Sequence, residues 1–200
     1  MIYTPAAVIL LAMSLLGTLW EAELILPQAS IDYLTSEEVE HVRNAQVIDQ
    51  RVKTFMKIAE RRLLAAEDPQ SPALKREERE WGALASGTRA DWLNHYHRAI
   101  EEVIVNVEEA YDRRVSDEKM LKALTLFCEH MSRHLPRLEA LRSRISDAAT
   151  NQRLEQIIED VKVAYQDARE SEQELKLKRE QRKNKKEPPM SLEQSEKLLQ

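Results

Sequence analysis

Glu38 and His41 stand three residues apart, an E-x-x-H pair that a helix would project to one side. In di-iron four-helix proteins this spacing sets a carboxylate and an imidazole on one metal, but such sites need a second E-x-x-H and two further glutamates. The chain holds no second copy, so a glutamate and a histidine near a helix end are the plainer reading. The densest group of potential ligands is Cys128-Glu-His130-Met-Ser-Arg-His134. His130 and His134, four apart, share a helix side, as in helical zinc and copper sites. On a helical wheel His134 falls at the edge of the apolar stripe, His130 nearly at right angles to it, and Cys128 on the opposite edge. The cysteine therefore cannot readily join the histidines on one ion. H-E-x-x-H, which adds a general base to two zinc ligands, is absent. Two histidines alone make a weak site, and the metal candidates are His130, His134, Glu38 and His41.

Cys128 lacks a base on its own side of the helix and reads as a buried free thiol. His95 and His97 point about 200° apart on a helix and cannot chelate together. GxSxG, CxxCH, GxxxxGK and GxGxxG are all missing, so no hydrolase elbow, covalent haem or phosphate loop is expected. The reading is a non-enzyme with no cofactor.

These side chains must be carried by helices. Only 3 glycines and 7 prolines punctuate 200 residues, too few for the tight turns of a sheet protein. Thr35-Ser-Glu-Glu38 is a capping box, and the spacing predicts a helix from about Ser36 to Asp68 with Val42, Ala45, Val52, Met56, Ala59 and Leu63 on one face. Residues 69–87 read as a polar connector in which LKREEREW offers one or two helical turns at most. A second capping box, Thr88 to Asp91, opens a helix whose stripe includes Trp92, Tyr96, Ala99, Val103, Val107 and Ala110, with Ile100 and Tyr111 beside it. A third follows Ser116, with Met120, Leu124, Phe127, Met131 and Leu138 inward, and Pro136 should kink it or open one turn. A fourth runs from about Thr150 past Ala168 on Leu154, Ile157, Ile158 and Val161. Amphipathic helices bury such stripes against one another. The expected fold is all-α: an elongated antiparallel bundle of about four helices after an N-terminal signal or anchor segment.

Four regions are expected. Residues 1–22 carry no charge from Ile2 to Trp20, and AAVILLAMSLL (Ala6 to Leu16) has the length of a secretory h-region, short of a full membrane span. Six acidic residues and no basic one fall between Trp20 and Arg43, which favours passing that flank across a membrane. Residues 23–34 are a linker, 35–170 the helical bundle domain and 171–200 a charged, basic, partly disordered tail whose removal the body should tolerate. Within it, from Lys176 to Lys186, the basic residues Lys176, Lys178, Arg179, Arg182, Lys183, Lys185 and Lys186 face Glu180 alone, giving that stretch +6 in a chain of net −5. It could touch an anionic surface, but it has no aromatic residue for stacking on bases, and nucleic acid is not the expected partner.

The chain thus reads as an exported, periplasmic or secreted, non-catalytic structural or protein-interaction module. Its partner would be another protein or a second copy, met along helical faces with coiled-coil character. Tethering by an uncleaved N-terminal segment is the alternative location. A metal- or small-ligand-binding bundle is the alternative function.

Overall fold

The computed structural model describes residues 33–84 and 86–186, and these contain helices and no strand. The expected signal or anchor segment, the 23–34 linker except for its last two residues, and the chain beyond Lys186 lie outside the described residues. Six α-helices follow in order: α1 Ser36–Asn44, α2 Ile48–Glu67, α3 Pro72–Trp81, α4 Arg89–Asp112, α5 Asp117–Leu141 and α6 Ala148–Lys186, with one 3₁₀ turn, Arg142–Arg144, before α6. None of them is long and apolar enough to cross a membrane.

Local chemistry sets most of the boundaries. Thr35 and Thr88 both form complete capping boxes, with Glu38 and Asp91 returning the bond to the cap backbone at 2.9 and 2.8 Å. Ser71 caps α3 ahead of Pro72, whose missing N–H is harmless at a first helical position. Asp147 accepts from the Thr150 N–H at 2.7 Å and starts α6. α4 closes with the Val115 N–H on the Ala110 carbonyl and the Arg114 N–H on that of Tyr111, and Arg114 takes a positive φ of 53°. That is a Schellman ending with arginine where glycine is usual.

The expected single helix over Ser36–Asp68 is in fact two. Ala45 leaves helical geometry at ψ 81°, and α2 begins afresh at Ile48. In a straight helix Glu38 and Arg61 would lie about 35 Å apart at 1.5 Å per residue. The break folds α1 back, and their side chains meet. The 69–87 connector likewise contains a full helix, α3, longer than the one or two turns expected. α5 runs through Pro136 without a break.

α2 packs along α4 and α5, and α6 packs along α5 and less extensively along α4, while α1 and α3 cover part of α2. One continuous core joins Val52, Met56 and Leu63 of α2 to Tyr96 and Ile100 of α4, Met131 and Leu138 of α5, and Leu154 and Val161 of α6. Tyr111, expected beside the core stripe, is 45% exposed. α6 outlasts its expected end near residue 170. Leu154, Val161, Ala168 and Leu175 recur every seven residues and all are buried, so the seam continues into the charged segment.

Candidate functional site

Glu38 lies at the third position of α1, with its carboxylate out of contact with solvent. Its Oε1 accepts from Arg61 and, at 2.9 Å, from Arg62; its Oε2 accepts from Arg62 at 2.5 Å and from the Thr35 N–H at 2.9 Å. The two arginines carry the contact further. Arg61 donates to the carbonyls of Trp81, at 2.9 Å, and Gly82, and so closes the C-terminus of α3; Arg62 donates to the Tyr33 carbonyl. Thr35 Oγ1 adds a bond to the Trp81 carbonyl at 2.6 Å. Gly82 has a φ of +72°, and a Cβ there would come within 3 Å of Thr35 Oγ1 and the Glu37 carboxylate. Only glycine fits so close an approach at that backbone angle. All the carboxylate's acceptor capacity is consumed, so Glu38 ties helices together instead of offering a metal ligand.

His134 lies in the core with 1% of its surface exposed, deeper than the boundary position the wheel assigned. Its Nδ1 is 3.3 Å from the Tyr96 hydroxyl, and its Nε2 is 2.8 Å from Glu60 Oε2, close but not aligned as a hydrogen bond. Arg137 reaches both Glu60 oxygens at 2.8 and 2.9 Å and both Glu67 oxygens at 2.8 and 2.6 Å. Burial works against ionisation of Glu60, but His134 and Arg137 outweigh it and hold the carboxyl at a pKa of about 2. Burial also keeps the Tyr96 hydroxyl protonated far above its ordinary range. Arg89 and Arg144 then take the Ala66 and Glu67 carbonyls, capping the end of α2. The result is a three-helix clamp, with each charge met by an opposite one.

His97 is bound in the same way. Its Nε2 is 3.0 Å from Asp160 Oδ2 on α6, and Arg153 approaches its Nδ1 at 3.2 Å. Cys128 is a buried free thiol, and burial, followed by the charge of Glu172, pushes its pKa up to about 11. A thiol so protonated is a poor nucleophile near neutral pH.

Two of the four predicted ligands do share a surface. His41 and His130 line one open groove of ≈ 520 Å³, together with Lys53, Lys57 and Trp81. His41 stacks on Trp81 with ring centres 4.0 Å apart and planes 21° from parallel, and its Nε2 is 3.1 Å from the Glu80 carbonyl. His130 meets His134 edge to face at 5.6 Å. Burial and the neighbouring His134 lower the His130 pKa to about 4, leaving it neutral near pH 7. Among the described residues, no group of three or more His, Cys, Asp or Glu side chains is placed to hold a metal ion.

The basic stretch is partly neutralised within the chain. Lys176 pairs with Glu172 at 2.8 Å, Lys178 with Glu174 at 2.6 Å, and Arg182 with Asp117 of α5 at 2.6 Å. Glu172 also accepts from Thr125 at 2.5 Å, so this part of α6 is fastened to α5.

The sequence reading missed Arg61 and Arg62 because an arginine doublet ordinarily marks a solvated face. The available signal was their surroundings. Ile58, Ala59, Leu63, Ala65 and Ala66 are all buried around them, while Lys53, Lys57, Glu60 and Glu67 already supply the outward face of α2. No protein-family model, curated protein or solved structure matches the chain.

Proposed function

We propose that the chain is an exported, non-catalytic scaffold in which α2, α4, α5 and α6 act as an antiparallel four-helix bundle that engages another helical protein or a second copy of itself. One contrast carries the reading. The interior side chains with chemical potential (Glu38, His97, His134) and the half-buried Glu60 are engaged in contacts between helices, whereas large apolar side chains are left outside. Val105 and Tyr111 on α4 and Val163 and Leu177 on α6 are each about half exposed, and a cleft between these helices is walled by Ile104, Val107 and Ala164. Exposed apolar surface of this kind marks association. Export draws its support from the uncharged run Ile2 to Trp20 and the acidic flank behind it.

Fractionation of the native host, with sequencing of the mature N-terminus, tests the compartment. Full-length chain beginning at Met1 in the soluble cytoplasm would end the export reading. Sedimentation equilibrium tests the surface. A dimer that Val163→Asp dissociates, with the helical signal unchanged, is the expected result; a monomer at every concentration shifts the role to a different protein partner.

A further inference from the structure

The groove that gathers His41 and His130 differs from the ionic clusters in one respect: four of its polar side chains, those of Asn44, Gln50, Lys53 and Thr54, have no hydrogen-bond or ion-pair partner among the described residues. Donors predominate in the lining, since lysine and indole only donate and the amides and hydroxyl can. Lys57 is paired with Glu77 at 2.5 Å, but no carboxylate lines the groove, in a chain whose acidic residues outnumber its basic ones 35 to 30. One edge is the stacked pair of His41 and Trp81, a flat aromatic platform. His130 also lines it and can give or take a hydrogen bond when neutral.

We propose that this groove binds a small planar organic anion, its ring extending the Trp81–His41 stack and its charged group held by Lys53 and Lys57. The chemistry follows from the lining. Lys53 and Lys57, four residues apart on α2, lie on one side of that helix, and Lys57, though held by Glu77, keeps two further N–H groups for the anion that Lys53 would bind first. Stacking on the indole selects a flat body over an aliphatic one. Asn44, Gln50 and Thr54 supply hydrogen bonds to ring heteroatoms. A volume of ≈ 520 Å³ accommodates a ligand of drug-like size. The site is independent of the bundle's association surface, which lies on α4 and α6.

Adenosine monophosphate, which carries both a planar ring and a phosphate, serves as the probe, with adenosine and inorganic phosphate as its two halves. Binding is read by calorimetry and by the Trp81 indole N–H resonance, assigned with Trp81→Phe. The expected result is saturable binding with a Kd of about 1 mM or tighter, at least about tenfold better than either half. Lys53→Gln, at an exposed position without a structural partner, should weaken it about tenfold, while Lys75→Gln on the surface of α3 leaves it unchanged. Failure of adenosine monophosphate to saturate overturns the proposal. So does adenosine or phosphate binding as tightly as the whole probe, or Lys53→Gln retaining parental affinity.

Discussion

The start of the described chain and the far end of α6 are both held by ion pairs, yet they are held in opposite physical regimes. Glu38, Arg61 and Arg62 are excluded from water, with four hydrogen bonds on one carboxylate. Arg182 and Asp117 meet at 2.6 Å with side chains 70% and 45% exposed. The distances are alike. What differs is what each ion would regain if the contact opened. A surface ion returns to water at little loss, whereas a buried one is stranded in a medium that cannot solvate it. Distance alone therefore says little about which pair holds the fold.

The largest effect should come from Glu38→Gln. The replacement keeps the side-chain length and the third helical position that suits a capping box, but it leaves Arg62 without a counter-charge and Arg61 with only Glu77, at 3.8 Å. Removing one partner of a buried pair typically costs about 3–5 kcal/mol, which in a chain of this size lowers Tm by roughly 10 °C. Urea denaturation with a constant m-value measures it. A loss below about 1 kcal/mol would mean that water reaches the cluster and would erase the contrast with α6.

Glu60 offers a second test through pH. Its carboxyl titrates at about 2 in the fold, against 4.5 when free. Because the folded value is depressed, the stabilisation is fully present above about 4.5 and is lost as pH falls towards 2. Its size is on the order of 3 kcal/mol. Glu60→Gln should be less stable than the parent at neutral pH, and the two should converge as the solution is acidified through that window. Parallel stability curves between pH 5 and pH 2 would place the acid sensitivity elsewhere.

Much of the helical plan could be read from residue types. The capping boxes at Thr35 and Thr88 rest on local chemistry, and local chemistry is visible in a short window. The apolar stripes of α4 and α5 were visible for the same reason, since burial at the 3.6 period leaves its mark in composition. The break at Ala45 was not, because Val42, Ala45 and Val52 continue one helical phase across it. That break is enforced from outside, by the pairing of Glu38 with arginines 23 and 24 positions later. Glu38 stands out in the sequence, and the structure gives it two guanidinium partners. A carboxylate on an apolar face signals an unusual partner, but sequence spacing alone cannot separate a metal ion from a guanidinium. The groove shared by His41 and His130 was equally hidden, since it depends on α1 folding back and on α3 delivering Trp81 beside it.

Deleting the chain after Arg169 addresses the α6 end as a whole. The sequence reading assigned little stability to this part, yet Leu175 is only 7% exposed and Glu172 bonds Thr125. Burying a leucine contributes about 1.5–3 kcal/mol, so the truncated chain should lose about 2 kcal/mol, with the ion pairs adding little. Leu175→Ala in the full-length chain should reproduce most of that loss. Should the truncation cost nothing while Leu175→Ala does, the substitution would be acting through a cavity that the shorter helix relaxes away.

The smallest effect belongs to the Arg182–Asp117 pair, and measuring it needs more than one variant. Asp117 is the first residue of α5, where a negative charge is favoured by the helix dipole whether or not an arginine is near. Asp117→Asn thus removes two contributions, and Arg182→Gln only one. A double-mutant cycle separates them. The coupling between the two side chains should be about 0.5 kcal/mol or less, and it should vanish near 1 M salt, where the Debye length is about 3 Å. The same cycle on Glu38 and Arg62 should return several times that value and change little with salt, because ions do not enter the space between those groups. If the surface coupling instead survived high salt, the end of α6 would be shielded from solvent by some contact beyond the isolated chain. A second copy seated along Leu177 would provide such a shield, and the salt dependence should then return on dilution below the dimer's dissociation constant.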